Sequence, residues 1–127
     1  MAASLDPRIR RYLLPTRIVW QTDGAAAPQA PEVLLQNDTG QSTVSPPSWC
    51  LLTHSGTPPG ILLDFGRELN GGVQIVVSDV KGCSPPRCRV RFGESATEAM
   101  GEPNNDHALH DHLCRIPRAR CPRPPAR

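Results

Sequence analysis

The chain has 127 residues, enough for one ordinary domain, so an enzyme of several domains can be represented here only in part. Aromatic residues make up 4%, beside 15 Pro and 10 Gly, which disfavours a helical bundle and favours strands joined by turns around a thin, aliphatic core. Residues 1–112 carry nine Lys/Arg against twelve Asp/Glu and the last fifteen carry five Arg and no acid, so the basicity belongs to the tail and a nucleic-acid partner is not expected.

Residues 1–14 begin polar and basic and read as a flexible lead-in. The stretch from Tyr12 to Trp20 is partly apolar but is broken by Pro15 and Arg17 and has no suitably placed small-residue cleavage site. No run approaches the ~18 apolar residues of a membrane span. No membrane partner is therefore expected, and the expected compartment is the cytoplasm, with Cys50, Cys83, Cys88, Cys114 and Cys121 reduced.

Strand-like runs follow at short intervals: Thr16 to Gln21, Glu32 to Gln36, Ser48 to Thr53, Gly60 to Phe65, Val73 to Asp79 and Arg87 to Phe92. Turn residues separate them, including Asp23-Gly24, Asn37-Asp38, Pro46-Pro47, Gly56 to Gly60 and Gly82 to Pro86. Ile61-Leu62-Leu63 reads as a strand buried on both faces. Val73, Ile75 and Val77 share one side of theirs. In Arg87–Phe92 the alternation places Cys88, Val90 and Phe92 inward and Arg87, Arg89 and Arg91 in solvent. Cys83 and Cys88 flank what reads as a hairpin turn between the Val73 and Arg87 strands.

Beyond Phe92 the periodicity stops, and residues 93–112 read as a polar loop in which Gly101 and Pro103 prevent one continuous helix. The fold class expected is all-β, an incomplete antiparallel β-sandwich over residues 15–112, jelly-roll-like, followed by a disordered Arg/Pro-rich tail over residues 113–127.

The string ILLDFGRELNGGVQIVVS from Ile61, and RVRFGESATEAMGEPNNDHALHD from Arg89, resemble the β-sandwich region that precedes the catalytic barrel of α-L-rhamnosidase-type glycoside hydrolases. PTRIVW from Pro15 and EVLLQ from Glu32 are similar to the opening of that region. The most specific parts are Asp64-Phe65-Gly66 with Gly71-Gly72, Arg91 to Ser95, and Asn105-Asp106-His107-Ala108. The resemblance implies an enzyme that hydrolyses terminal rhamnose with inversion, through two carboxyl groups ~6.5–9.5 Å apart. In the family both lie in an (α/α)6 barrel that matches nothing here. No catalytic residue, cofactor or metal is therefore expected in this chain. The partners implied are a rhamnose-containing glycan and the missing catalytic domain.

Where the family continues with apolar strands and a long helical region, this chain reads LCRIPRARCPRPPAR, eleven of whose fifteen residues are Arg, Pro or Cys. That composition matches an out-of-frame translation of GC-rich DNA and suits neither strand nor helix.

Candidate contacts to substrate or to a neighbouring domain are Asp64, Arg67 and Glu68 at a polar corner, with Glu94, Asn105, Asp106 and His107 in the loop. The plain alternative for the corner is an ion pair that braces it. Glu94, Glu98, Glu102 and Asp106 recur every fourth residue, but like charges at that spacing repel and a solvated loop is favoured. His107, His110, His112 and Cys114 have spacings compatible with zinc, yet His107 belongs to the family-like loop and Cys114 to the tail, so a structural loop is preferred. Trp20 and Trp49 lie in or beside apolar runs and are expected in the core. A stand-alone sugar-binding module is the rival function, and an Arg-rich tail for acidic partners is a third.

Overall fold

The computed structural model describes residues 11–37, 48–82, 85–101 and 111–116. They form two compact units, residues 1–69 and 70–127. Together they hold two small two-stranded antiparallel sheets and one short α-helix, a β-rich architecture. Among the described residues no helix is long and apolar enough to cross a membrane.

In the first unit, β1 (Arg17–Gln21) pairs antiparallel with β2 (Ile61–Asp64), as their short apolar runs and the β-branched Ile18, Val19 and Ile61 favour. The register runs Arg17↔Asp64 and Ile18↔Leu63, then Trp20↔Leu62 and Gln21↔Ile61. Val19 is the extra residue of a β-bulge, which raises local twist and re-aims the side chains after it. Thr22 extends the ribbon: its amide donates to the Gly60 carbonyl at 3.0 Å, and its hydroxyl accepts from the Gly60 amide at 3.1 Å. The same hydroxyl donates to the Ala26 carbonyl at 2.7 Å, tying a 3-10 turn at Gly24–Ala26 to the ribbon. Ala26 and Pro28 are the buried residues among those described.

Two expected strands of this unit are corrected. Glu32–Gln36 is not a strand, because Pro31–Leu35 coils into a 3-10 helix. Proline at its first position presets φ for a helical start, and Ala30, in the left-handed region at φ 51°, turns the chain into it. Ser48–Thr53 contributes a single bridge, Leu51 to Gln29, with both backbone bonds at 3.0 Å. Trp20 and Trp49 are 43% and 40% exposed, not core residues.

In the second unit, β3 (Arg87–Arg91) pairs antiparallel with β4 (Asp111–Arg115) in unbroken register from Arg87↔Arg115 to Arg91↔Asp111. This corrects three expectations. The expected partner of Arg87–Phe92 was Val73–Asp79, which has no strand structure, and the residues expected to be a tail without strand supply the true partner. Leu113, Cys114 and Arg115 pair because the ladder uses backbone groups that any residue but proline provides. Residues 117–127, and Cys83 and Ser84 of the expected hairpin turn, lie outside the described residues. Finally, Arg91 is half-buried, not solvated; its Nη1 donates to the Gly101 carbonyl at 2.8 Å.

The expected loop after Phe92 contains α1 (Ala96–Met100), capped by Ser95, whose Oγ accepts from the Glu98 amide at 3.2 Å. The Glu98 carboxylate in turn accepts from the Glu94 amide at 2.8 Å, a variant of the reciprocal cap in which the bonded amide lies one residue earlier. Gly101 ends the helix, as expected of it.

Gly93 lets α1 close on the end of β3. A Cβ there would stand 2.6 Å from the Ala99 amide nitrogen and 3.0 Å from Glu98 Cβ. Gly93→Ala is therefore expected to destabilise the second unit by about 1–3 kcal/mol, the range for overpacking. A urea titration followed by the Glu98 amide resonance checks this, and an unchanged resonance and midpoint would contradict it.

Candidate functional site

The polar corner after β2 is built by a short run of turn chemistry. The last ladder residue, Asp64, accepts from the Thr16 amide at 2.7 Å and the Thr16 hydroxyl at 2.9 Å through its carbonyl. Its carboxylate accepts from the Gly66 amide at 2.7 Å and from Arg17 Nε at 2.8 Å. Gly66 sits at φ +73°, where glycine alone is unstrained, and a Cβ would meet Thr16 Oγ1 at 3.2 Å. The Asp64-Phe65-Gly66 motif is thus a backbone-clamped corner. The ion pair foreseen there forms with Arg17, directly opposite in the ladder, while Arg67 and Glu68 lie exposed beside it.

The second unit repeats the device. Arg89 Nε donates to both carboxylate oxygens of Asp111, at 2.9 and 3.0 Å, and its Nη2 also donates to Oδ2. Arg89 opposes Leu113, so this bidentate pair runs diagonally across the ribbon. On the other face, the Phe92 and His112 rings meet edge to face at 6.0 Å.

The electrostatics decide what these carboxylates can do. The Gly66 amide, then Arg17, hold the Asp64 carboxyl below its usual range, and Arg89 does the same for Asp111. A glycosidase acid needs the opposite shift, because it must carry a proton at working pH. Both aspartates are fixed anions and hydrogen-bond acceptors, suited to bracing a corner or meeting hydroxyl groups.

Of the candidate contact residues, Asp64, Arg67 and Glu68 share one corner, while Glu94 is an exposed residue whose amide is bonded to Glu98. Asn105, Asp106 and His107, with Glu102 and His110, lie outside the described residues. Of the acids at every fourth position, Glu98 is committed to the helix cap and its carboxylate to the Glu94 amide. Among the described residues no three His, Cys, Asp or Glu side chains gather as a metal site. Arg17 and Arg89 were missed as site residues: both lie in strands read for their hydrophobic alternation, and their partners are 47 and 22 residues away. The α1 cap was missed as well: the Ser95-x-x-Glu98 spacing is a capping-box signature that the loop reading of residues 93–112 passed over.

Comparison with known protein families, with curated proteins and with solved structures gives no match to this chain.

Because both folded pKa values lie below the unfolded value of ~3.9, the stabilisation from Asp64 and Asp111 is fully present above that value. It falls away as pH drops below ~4 toward each folded pKa. NMR titration is expected to show ladder amides of both ribbons losing dispersion in that range. Arg89→Gln is expected to move the Asp111 midpoint up toward the ordinary carboxylate value, and an unmoved midpoint would contradict the assigned cause.

Proposed function

We propose that this chain is a non-catalytic N-terminal portion of an α-L-rhamnosidase-like glycoside hydrolase, an incomplete jelly-roll-like β-sandwich acting in the cytoplasm. The observation that carries the proposal is the resemblance of residues 61–78 and 89–111 to the region preceding the family's barrel. Physical features agree with that role. Asp64-Phe65-Gly66, the most specific piece of the first string, makes a rigid corner. In the second, Gly93 and Ser95 make a tight turn and helix cap. The ionised state of Asp64 and Asp111 fits binding or bracing, and neither is suited to donate a proton to a leaving group.

The apolar run Val73–Val77 fits as well. Val73, Ile75, Val76 and Val77 are between 43% and 71% exposed. Leaving about half of four such side chains in water forgoes roughly 3–6 kcal/mol at 1.5–3 kcal/mol per buried residue. That is comparable to the net stability of ~5–15 kcal/mol of a whole domain. In the proposed enzyme this segment becomes a central strand covered by the rest of the sandwich, and the catalytic domain and a rhamnose-containing glycan are the partners.

A second reading is favoured by the exposed indoles. The Trp20 ring lies over Gly60, whose Cβ, if present, would be 3.2 Å from Trp20 Cζ3, and Trp49 is similarly exposed. Flat exposed indoles suit stacking on a sugar face, as in a stand-alone carbohydrate-binding module.

Three measurements separate the readings. The chain alone is expected to release no aryl group from an aryl α-L-rhamnoside; release would overturn both. Mixed with a rhamnosidase barrel stripped of its own N-terminal sandwich, it is expected to co-elute and raise the barrel's melting temperature, and no association would overturn the first reading. Saturable tryptophan fluorescence change on titration with L-rhamnose supports the second, and a flat response removes it.

A further inference from the structure

Cys88 and Cys114 are direct partners in the β3–β4 ladder. The Ile116 amide donates to the Pro86 carbonyl at 3.1 Å, which makes 86 and 116 a hydrogen-bonded pair. Antiparallel pairs alternate, so two residues further along Cys88 and Cys114 form a hydrogen-bonded pair too, with a Cα separation of about 5.5 Å. A disulfide spans ~4.4–6.8 Å between Cα atoms and ~3.5–4.5 Å between Cβ atoms, so the Cα spacing fits and the Cβ atoms, ~5.5 Å apart in such a pair, must draw together by about 1 Å as the bond closes. The two side chains also share one face of the ribbon, with Val90 and His112 as the next pair on it. Both are free thiols, Cys88 half-buried and Cys114 exposed. Burial, and then the nearby Cys114, push the Cys88 thiol above its ordinary pKa, as the ladder pairing entails.

We propose that Cys88 and Cys114 are a thiol pair that a low-molecular-weight disulfide, of the oxidised glutathione class, converts into a cross-strand disulfide. The exposed Cys114 thiolate attacks one sulfur of the small disulfide, breaking its S–S bond and releasing one small thiolate. The Cys88 thiolate then attacks Cys114 Sγ, forming the protein disulfide and expelling the second small thiolate. Two protein thiols are oxidised, one small disulfide is reduced to two thiols, and the two cysteine protons end on the leaving thiolates. The bond would pin β4 to β3 and close a loop that includes α1. The proposal uses no candidate contact residue of the glycosidase reading, and neither depends on the other.

The test treats the full chain with oxidised glutathione, blocks remaining thiols, and maps disulfide-linked peptides by mass spectrometry, with a parallel sample in strong denaturant. In the unfolded chain, loop-closure entropy favours near neighbours such as Cys83 with Cys88. The folded chain is expected to give Cys88–Cys114 as its main disulfide, enriched at least about tenfold over the denatured sample and reversed by a reducing thiol. The Cys88→Ser variant is expected to retain glutathione on Cys114, whereas the wild-type chain loses it. Should the variant not fold, the comparison of folded and denatured wild type decides alone. The same disulfide distribution with and without denaturant, or glutathione persisting on wild-type Cys114, would overturn the proposal.

Discussion

The described structure depends on backbone pairing between two strands at a time. A two-stranded antiparallel ribbon satisfies the amides and carbonyls between its strands and leaves both outer edges to solvent, and such a ribbon is marginal in water without a hydrophobic face packed on something else. Ala26 and Pro28 are the buried residues among those described, so packing adds little. Each ribbon is therefore closed by polar means. Arg17 with Asp64 and Arg89 with Asp111 clamp across the strands, Thr22 ties a 3-10 turn to the first ribbon, and Arg91 ties the end of α1 to the second.

That economy also shapes the chemistry. Aspartates engaged by arginine and backbone amides stay ionised, and serve as anchors of a corner or acceptors for hydroxyl groups, not as proton carriers. Glycine appears where a side chain could not: Gly66 for its positive φ beside Thr16, and Gly93 for the approach of α1 to the strand end. Both belong to the strings on which the proposed function rests, and what those strings visibly encode is backbone geometry.

Three strands were legible because short apolar runs bounded by turn residues, and in Arg87–Arg91 an alternation of apolar and polar residues, are local properties. What could not be read is partner choice. Val73–Val77 has the same alternation as a true strand, yet among the described residues no neighbour supplies a ladder, and the segment stays exposed. Arg87–Arg91 found its partner in residues whose arginine, proline and cysteine content concealed the run Asp111 to Arg115. The 3-10 helix at Pro31 was lost because Val33, Leu34 and Leu35 look like a strand unless the proline before them is weighed. The short α-helix was missed because Gly101 and Pro103 were read as ruling out a long helix, while Ser95 and Glu98, three residues apart, suffice to cap one of five residues. At the candidate corner, Asp64 was visible as a turn carboxylate, while Arg17 became its partner only through the register of two distant segments.

The central claim is that order resides in the two ladders and their polar clamps, with no packed apolar core beneath the described residues. Native-state amide hydrogen exchange tests it most directly, because protection reports residue by residue where opening costs free energy. The account predicts protection confined to ladder and cap amides, among them Thr16, Thr22, Glu98 and Ile116, with Val73–Val77 exchanging near the rate of an unstructured peptide. Slow exchange throughout Val73–Val77, at a rate shared with both ribbons, would reveal a common core and contradict it.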